Sequence, residues 1–322
     1  MKRIGVLCSG GDSPGMNAAL RALVLSAEKQ GLEVFGIRDG YEGLVKNKMR
    51  RLPEKAVYQI AHYGGTILGS ARSKSFMKKK GREKAYANLK KRNVEALVVI
   101  GGDGTFAGAD VFTKEFKIPI VGLPGTIDND LFGTDSTIGY DTALNTAVSA
   151  IDKIRDTASS HNRLFFVEVM GKDAGFIALR SGIASGAEAI LVPETPTHLE
   201  DLFEQLKKGR ARSHKGGIIL VAEGDDAGGA FEIAEKVKQK FPKYDCRVTV
   251  LGHVQRGGSP SAYDRVLASR LGMSAVEYLM AGKHNVMLGI RHKAVIPTPF
   301  DQAIKHHKNL NQALVHLAEL LN

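Results

Sequence analysis

The chain alternates between short apolar stretches and longer amphipathic segments. The apolar stretches predict seven strands, at residues 3–8, 33–37, 96–100, 118–122, 164–170, 217–222 and 247–252. Most of the segments between them repeat apolar residues at the spacing of a helix, and the clearest such pattern covers residues 142–156. This alternation predicts βαβ units, and therefore an α/β fold with mainly parallel sheets.

Length and composition fit one large or two interleaved α/β domains. The chain has 322 residues, of which 43% are hydrophobic, enough for a sizeable core. Lys and Arg outnumber Asp and Glu by 45 to 34, which gives a formal net charge of +11. The basic runs at residues 46–51, 78–80 and 90–92 lack interleaved aromatic side chains, and the chain has no Trp. We therefore expect solvated basic faces that attract anionic metabolites, and no binding of nucleic acid.

Cysteine usage and hydropathy indicate a cytoplasmic protein that does not enter a membrane. Cys8 and Cys246 are the only cysteines, too few for a disulfide framework and without the spacing of a zinc site. We expect both to be reduced, partly buried thiols. The first apolar stretch is too short for a signal peptide, and no later stretch reaches the roughly 18 apolar residues that span a bilayer.

Two glycine-containing loops directly follow predicted strands. Residues 101–105 read Gly-Gly-Asp-Gly-Thr, and residues 124–130 read Pro-Gly-Thr-Ile-Asp-Asn-Asp. Ligands of open parallel sheets bind where strands end, and glycine lets backbone amides approach phosphate oxygens. Carboxylates cannot themselves hold phosphate. Their presence therefore indicates that they bind a cation or remove a proton from a substrate. The two loops together favour phosphoryl transfer. The structural alternatives are a Gly-rich turn with Asp103 as a helix cap for the first loop, and a turn built by Asp and Asn side chains for the second.

Three polar residues of the second loop alternate in sequence. Thr126, Asp128 and Asp130 share one side of the backbone if this loop is extended. One carboxylate can then accept a hydroxyl proton while another faces a metal ion or orients its neighbour. An Asp has a reference pKa of about 3.9 and is ionised at neutral pH. So weak a base is adequate when the hydroxyl group that accepts the phosphoryl group becomes acidic only late in the reaction, as in a loose phosphoryl-transfer transition state.

A third loop, residues 9–17, joins the first predicted strand to the first predicted helix. Its glycines can direct backbone amides and a helix N-terminus at an anion. The alternative is a tight turn with Ser13 as the helix cap and Pro14 at the first helical position. The loop lacks the dinucleotide motif G-x-G-x-x-G, and the chain contains no P-loop motif.

Polar residues around the later predicted strands fit a phosphorylated sugar. Arginine binds phosphate through a planar fork, whereas Glu223 can accept hydrogen bonds from sugar hydroxyls. Taken singly, each is a surface charge or a helix cap in the simplest interpretation, and His253 is a structural histidine. The residues are Arg163, Met170, Gly171, Lys172, Glu223, Arg247, His253 and Arg256.

Over nearly its whole length the chain resembles the bacterial ATP-dependent 6-phosphofructokinases. The resemblance implies magnesium-dependent transfer of the ATP γ-phosphoryl group to O1 of fructose 6-phosphate, giving fructose 1,6-bisphosphate in glycolysis. With it, we expect two similar three-layer α/β/α lobes with the active site in the cleft between them. Residues 1–139 and about 256–309 would form the ATP-binding lobe, and about 140–255 with 310–322 the sugar-phosphate lobe. The segments that carry the resemblance are residues 9–17, 64–66, 70–72, 101–105, 124–130, 141–146, 152–160, 168–171 and 248–270.

The same resemblance implies roles for individual residues. Asp128 resembles the general base, Thr126 and Arg72 resemble groups that steady the transferring phosphoryl, and Asp103 resembles the magnesium-side carboxylate. Lys172 and Gly11 complete the expected catalytic group. The expected ATP-binding residues are Gly11, Arg72, Ser73, Gly102, Asp103, Gly104 and Thr105. The expected sugar-phosphate residues are Thr126, Asp128, Asp130, Arg163, Met170, Gly171, Lys172, Glu223, Arg247, His253 and Arg256.

Arg163 and Arg247 are expected to reach in from a neighbouring subunit, because the family is typically a tetramer with dihedral symmetry. Pyrophosphate-using relatives carry an Asp and a Lys where this chain has Gly104 and Gly125, so the resemblance favours ATP. The family also has an effector site for ADP or phosphoenolpyruvate. Its residues here would be Arg21, Arg155, Gly186, Glu188, Arg212 and Lys215.

The chain departs from the family pattern at two positions. Lys172 replaces the usual arginine and cannot bind bidentately, and Leu25 replaces a second arginine of the effector site. Two other functions remain open. The first is another small-molecule kinase with the same glycine loop, acting on a nicotinamide nucleotide or a lipid. The second is a catalytically silent metabolite-binding subunit.

Overall fold

The computed structural model describes residues 1–212 and 216–321, and contacts within the chain divide it into two units. The first unit comprises Met1–Ile127, Leu131–Thr142 and Arg256–Lys308. The second comprises Asp128–Asp130, Ala143–Gln255 and the described residues from Asn309 onward. The sequence analysis placed residues 128–130 in the first lobe, whereas their contacts place them in the second unit.

A seven-stranded sheet forms the centre of the first unit. Its strands are β1 (Arg3–Cys8), β2 (Glu33–Ile37), β3 (Met49–Arg51), β4 (Ala96–Gly101), β5 (Ile120–Pro124), β10 (Val286–Arg291) and β11 (Ala294–Pro299). The strand order is β11-β10-β5-β4-β1-β2-β3, with the two edge strands antiparallel to their neighbours. All six residues of the central strand β4 are buried, as are the last five of β1, which is typical of parallel strands covered on both faces.

A four-stranded, all-parallel sheet forms the centre of the second unit. Its strands are β6 (Leu164–Val169), β7 (Ala189–Leu191), β8 (Gly217–Ala222) and β9 (Cys246–Val250). The strand order is β7-β8-β6-β9, and β8 is buried throughout. The core of this unit includes Phe166 and Ile219 from the sheet and Leu202 and Ile233 from flanking helices.

Helices pack on these sheets through their apolar faces. In the first unit, the helices Met16–Lys29 and Ala262–Met280 approach so closely that a Cβ at Gly272 would lie 2.4 Å from the carbonyl oxygen of Ala19. The helices are α1 (Met16–Lys29), α2 (Gly40–Val45), α3 (Glu54–Val57), α4 (Lys79–Lys91), α5 (Asp103–Phe116), α6 (Tyr140–His161), α7 (Phe176–Ser185), α8 (Leu199–Arg212), α9 (Ala230–Lys240), α10 (Ala262–Met280), α11 (Phe300–Lys305) and α12 (Gln312–Leu321). A 3₁₀ helix, Gly252–Arg256, follows β9.

Parallel register brings three loops of the first unit to one edge of its sheet. Cys8 at the end of β1 pairs with Ile100 of β4, and Gly101 at the end of β4 pairs with Pro124 of β5. The loops that follow β1, β4 and β5 therefore start side by side. These are the three loops that the sequence analysis identified as phosphate or catalytic loops.

The predicted α/β fold with mainly parallel sheets is confirmed, and several element bounds differ from the prediction. β5 starts at Ile120 rather than at residue 118, and α6 extends beyond the predicted 142–156 at both ends. The β10–β11 hairpin was not predicted. Its turn residues His292 and Lys293 both have positive φ, although this turn lacks the Asn or Gly that normally indicates such a conformation.

Neither cysteine forms a disulfide. Cys8 is fully buried at the end of β1, where Thr66 Oγ1 donates a hydrogen bond to its Sγ at 3.2 Å. Burial raises the pKa of Cys8 to about 12. Cys246 is partly buried, so the prediction of partly buried thiols holds for Cys246 and understates the burial of Cys8. Across residues 1–212 and 216–321, no helix combines the length and apolar character needed to cross a membrane.

Candidate functional site

The loop after β1 is held in a fixed conformation by its neighbours. The amide of Ser9 donates to the carbonyl of Ile100 at 3.0 Å, and Ser70 Oγ donates to the carbonyl of Gly10 at 2.6 Å. Helix α1 begins at Met16 after Gly15, whose φ of 108° requires glycine. The alternative of a Ser13 cap and Pro14 as the first helical residue is therefore wrong.

The loop after β4 leads directly into α5. Gly102 is the N-cap and Asp103 is the first helical residue, so the alternative of Asp103 as the cap is also wrong. A Cβ at Gly101 would lie 2.4 Å from the carbonyl oxygen of Ser9, whereas Gly104 has no atom within 4 Å of its Cβ position. Gly101 thus packs the loop, and Gly104 leaves open space at a helix N-terminus, where backbone amides favour anions.

Thr105 is buried at the start of α5 and uses its polar groups inside the protein. Its Oγ1 donates to the carbonyl of Ser9 at 3.0 Å, and its own carbonyl accepts from Tyr41 Oη at 2.7 Å. These bonds connect the loop after β4 to the loop after β1 and to α2. Thr105 therefore holds the glycine loop in position, a structural role in addition to the predicted contact with ATP.

The predicted ATP-binding residues Arg72 and Ser73 lie in a segment attached to α2. Ser73 Oγ and Ser75 Oγ both donate to Glu42 Oε2 at 2.5 Å, while Lys46 pairs with Glu42 Oε1 at 2.9 Å. The hydroxyl of Ser73, followed by that of Ser75 and by Lys46, lowers the pKa of Glu42 to about 2. Glu42 was missed from the sequence, because its serine partners lie about thirty positions away.

Arg256 was predicted as a sugar-phosphate residue, and in the first unit it contacts the loop after β1. Its Nη1 donates to the carbonyl of Asp12 at 3.2 Å. A Cβ at Gly11 would lie 2.2 Å from Nη1 and 3.0 Å from Cζ of Arg256. Glycine at position 11 therefore makes room for this guanidinium, which connects one predicted substrate residue to one predicted ATP-binding residue.

The loop after β5 lies against the glycine loop after β4. The amide of Gly125 donates to the carbonyl of Gly101 at 3.0 Å, and the Cβ position of Gly102 lies 3.9 Å from the Cβ of Thr126. Gly125 has no space for a side chain, because a Cβ there would lie 2.9 Å from atoms of Ile100 and Met16.

The loop then bends instead of continuing as an extended strand. Residues 127 and 128 form the bend, and Asn129 has a φ of 54°. The condition for Thr126, Asp128 and Asp130 to share one side is therefore not met. Thr126 belongs to the first unit, and Asp128 and Asp130 belong to the second.

In the second unit, Glu223 holds the loop after β6. Its Oε1 accepts hydrogen bonds from the amides of Gly171 at 3.3 Å and Lys172 at 2.7 Å. The Lys172 backbone has a φ of 56°, and its Nζ pairs with Asp173 Oδ2 at 2.8 Å. The sequence analysis assigned Glu223 to sugar hydroxyls, and the structure adds a role in holding this loop.

Gln255 is a second residue that sequence reasoning missed. It is completely buried, donates through Nε2 to the carbonyl of Gly252 at 3.0 Å, and accepts at Oε1 from the amide of Met170 at 3.3 Å. Gln255 therefore connects the loop after β6 to the 3₁₀ helix that carries the exposed His253. Its sequence neighbour Arg256 was the more conspicuous candidate because of its charge.

Arg163 and Arg247 share one carboxylate. Arg163 Nε lies 2.7 Å from Asp245 Oδ2, and Arg247 Nη2 lies 3.0 Å from Asp245 Oδ1. Arg163, followed by Arg247 with a smaller effect, lowers the pKa of Asp245. The second unit thus brings together the two arginines that the family resemblance assigns to a neighbouring subunit.

Three of the predicted effector residues also meet in the second unit. Arg155 Nη2 donates to the carbonyls of Ser185 and Gly186, each at 2.7 Å, and its Nη1 lies 3.6 Å from Glu188 Oε1. Burial raises the pKa of Glu188. In the first unit, Arg21 Nε donates to the carbonyl of Tyr58 at 3.3 Å. Arg212 ends α8, and Lys215 lies outside the described residues.

Asp103 of the first unit can take part in holding a magnesium ion. Among residues 1–212 and 216–321, no three His, Cys, Asp or Glu side chains form a metal-binding cluster. Magnesium usually keeps several waters and takes one or two carboxylates together with substrate phosphates. Asp103, in the first turn of α5 beside the open space at Gly104, is a carboxylate of this kind.

Glycine loops at the carboxyl edge of a parallel sheet, next to a helix N-terminus with an acidic first turn, are typical of α/β proteins that bind phosphate groups through backbone amides. The sequence profile of the family described as Phosphofructokinase matches residues 3–279. The chain therefore belongs to the phosphofructokinase family, and the resemblance found in its sequence is confirmed.

Curated relatives are similar to the chain over its full length. ATP-dependent 6-phosphofructokinase 2 of Bacteroides thetaiotaomicron is 54% identical over 322 residues, covering 100% of this chain and 99% of the relative. ATP-dependent 6-phosphofructokinase 1 of Thermus thermophilus is 53% identical over 321 residues, with the same coverage.

Among solved structures, phosphofructokinase from Saccharomyces cerevisiae is 36% identical to this chain, with a TM-score of 0.90. The match covers 100% of this chain and 47% of the yeast chain, so this chain spans about half the length of that protein.

Proposed function

We propose that the chain is an ATP-dependent 6-phosphofructokinase. It transfers the γ-phosphoryl group of ATP to O1 of D-fructose 6-phosphate and forms fructose 1,6-bisphosphate and ADP, a step of glycolysis in the cytoplasm. The observation that carries the proposal is the adjacency of the loops after β4 and β5, where the amide of Gly125 donates to the carbonyl of Gly101 at 3.0 Å. Relatives that bear this name and exceed 50% identity over the whole chain support it.

The first unit binds ATP in this proposal. The amides at the N-terminus of α5 hold the phosphates over Gly102, Gly104 and Thr105, and the open space at Gly104 accommodates them. Arg72 and Ser73 approach from the segment that Glu42 holds, and Gly11 contributes the backbone of the loop after β1. Asp103 would hold magnesium, which when bound would supply positive charge beside the phosphate oxygens.

Asp128 is the general base of the proposed reaction and accepts the proton from the O1 hydroxyl of the sugar. A positioned base typically contributes about 10²- to 10⁴-fold to a rate. Thr126, Arg72 and Lys172 stabilise the transferring phosphoryl group by hydrogen bonding and positive charge. Because Lys172 is a single ammonium, it supplies charge without the paired hydrogen bonds of an arginine.

The second unit binds fructose 6-phosphate. Asp130, Met170, Gly171, Glu223 and His253 contact the sugar. Arg163 and Arg247 of a neighbouring subunit reach its phosphate, together with Arg256. A homotetramer is the assembly that we propose, with an effector site for ADP or phosphoenolpyruvate at Arg21, Arg155, Gly186, Glu188, Arg212 and Lys215. Leu25, which replaces an arginine of that site, weakens effector binding.

Initial rates test the proposed function directly. The purified chain is assayed with ATP or pyrophosphate as donor and fructose 6-phosphate, NAD or diacylglycerol as acceptor, with and without ADP and phosphoenolpyruvate. We expect activity with ATP and fructose 6-phosphate, and Asp128→Ser to lose at least about 10²-fold in kcat. Asp301→Ser, an exposed position at the start of α11, is the matched control and retains the wild-type rate.

Each alternative function has its own signature in this assay. Phosphorylation of only NAD or diacylglycerol would identify another small-molecule kinase. Equal, negligible rates for the wild type and Asp128→Ser would identify a catalytically silent binding subunit. Activity with pyrophosphate alone would overturn the assignment of the donor.

A further inference from the structure

Thr137 contacts the loop after β5 from a segment eleven positions further along the chain. Its Oγ1 donates a hydrogen bond of 2.6 Å to the carbonyl oxygen of Thr126. Thr137 is completely buried, and Thr126 is 9% exposed. Water therefore has little access to this carbonyl, and loss of the hydroxyl would leave a buried acceptor without this donor.

Backbone hydrogen bonds next to Thr137 also attach this segment to the loop after β5. The amide of Ile138 donates to the carbonyl of Pro124 at 2.8 Å, and Ile138 forms a parallel bridge with Gly125. The loop after β5 is thus held from two sides at its start, by Gly101 of β4 and by the segment 137–138. Thr137 adds the bond that holds the loop at Thr126 itself.

Asp264, on α10, anchors the other end of this segment. Its Oδ1 accepts from the amide of Gly139 at 2.9 Å, and its Oδ2 accepts from the amide and the hydroxyl of Thr142 at 2.8 and 2.6 Å. Asp264 is completely buried, and its helix packs tightly against α1. The segment from 137 to 142 is therefore fixed to the core of the first unit rather than exposed as a mobile connection.

We infer that Thr137 is a positioning residue, which holds Thr126 in the geometry that phosphoryl transfer requires and is itself held by the Asp264 anchor. This inference rests on the proposed function, in which Thr126 contacts the transferring group. Thr137 is not proposed to contact a substrate, and its effect on the reaction passes through the Thr126 carbonyl. A displacement of about 1 Å at a catalytic group costs on the order of 10²-fold in rate.

The hydroxyl of Thr137 can be removed without changing the shape of the side chain. Thr137→Val replaces it with a methyl group, and Thr137→Ser keeps it while removing a methyl group. We expect Thr137→Val to lower kcat by about 10- to 100-fold, with the KM for ATP changed less than about threefold, because the glycine loop after β4 is held by other bonds. Thr137→Ser should retain most of the wild-type kcat.

Thr113→Val is the matched control. Thr113 is also buried, and its Oγ1 donates to a backbone carbonyl, that of Ile118, at 2.6 Å. It lies near the end of α5, before β5 begins, so the same chemical change is made away from the loops at the carboxyl edge. This variant should lose stability and keep kcat, which separates a positioning role from loss of a buried hydrogen bond.

The test measures kcat, both KM values and the thermal midpoint for the wild type and the three variants in the full-length protein. A kcat for Thr137→Val within about threefold of wild type would overturn the inference, as would an equal loss of kcat in Thr113→Val or in Thr137→Ser. If Thr137→Val does not fold, Thr137→Ala replaces it under the same criteria. A wild-type protein without activity on fructose 6-phosphate and ATP would refute the proposed function instead, which distinguishes the two failures.

Discussion

The contact between Gly11 and Arg256 makes a sharp prediction about how an ATP-loop residue affects binding of the sugar phosphate. In Gly11→Ala, the new methyl group would lie 2.2 Å from Nη1 of Arg256, whereas ordinary contact begins at 3.4 Å. The guanidinium must therefore retreat by about 1.2 Å and give up its bond to the carbonyl of Asp12. Gly11 does not have a positive φ, so the backbone accepts alanine, and we expect stability to change by less than about 1 kcal/mol.

We expect Gly11→Ala to weaken binding of the sugar phosphate instead. A hydrogen bond to a charged group is worth about 1.5–3 kcal/mol, and about 1.4 kcal/mol corresponds to a factor of ten. If Arg256 contacts the phosphate of fructose 6-phosphate, its displacement raises the KM for this sugar by about 10- to 100-fold, with a smaller change in the KM for ATP.

A double-mutant cycle with Arg256→Ala measures whether the effect of Gly11→Ala passes through Arg256. Steady-state rates of ADP release are measured for the wild type, both single variants and the double variant, with fructose 6-phosphate varied at saturating ATP. We expect the double variant to match Arg256→Ala, so that the coupling is nearly as large as the whole effect of Gly11→Ala. Additivity within about 0.5 kcal/mol, or a rise in the KM for ATP alone, would refute this reasoning.

Three further predictions concern Glu42, Lys172 and Asp264. The pKa of Glu42 is lowered to about 2, so its stabilisation is present above its usual pKa and is lost as pH falls through about 2. Glu42→Gln should lower the free energy of unfolding in urea by about 1–2 kcal/mol at neutral pH, and this difference from wild type should become smaller in acid. A difference that does not change with pH would contradict the role of Ser73 and Ser75. Lys172→Met should lower kcat by about tenfold or more while Lys172→Arg keeps it, and steady-state rates of Lys172→Met equal to wild type would exclude a role for the ammonium. Burial raises the pKa of Asp264, so its contribution to stability is largest below its unfolded pKa and declines as pH rises through the folded one. The stability difference between wild type and Asp264→Asn in urea unfolding should therefore be larger at about pH 4 than at about pH 8, and a difference independent of pH is the contrary result.

The local pattern of apolar residues was sufficient to predict the bounds of several strands. β1, β2 and β8 have the predicted bounds, because the apolar run at each of these positions ends where the chain leaves the sheet. The start of β5 was predicted two residues too early, because Ile118 is apolar although it does not belong to the strand. It is buried in the core, and its carbonyl accepts a bond from Thr113 instead of pairing in the sheet.

The groups that support the candidate site could not be predicted, because their partners are distant in sequence. Asp264 lies more than 120 positions from the amides that it accepts, and Gln255 lies 85 positions from Met170. A buried Asp or Gln has no local signature that distinguishes it from a surface residue. Charge was an ambiguous guide for Arg256, since an arginine near a predicted strand end fits a phosphate ligand as well as it fits a contact with Gly11.

The burial of Cys8 has a consequence for oxidative chemistry. A thiol whose pKa is about 12 carries almost no thiolate at neutral pH, and thiolate is the form that peroxides and alkylating reagents attack. The strand that leads into the first glycine loop is therefore inert to such reagents while the protein is folded. Cys246 is only partly buried, so a covalent label that reacts with the folded protein will mark Cys246 on the second unit, at a rate slowed because burial also raises the pKa of this thiol.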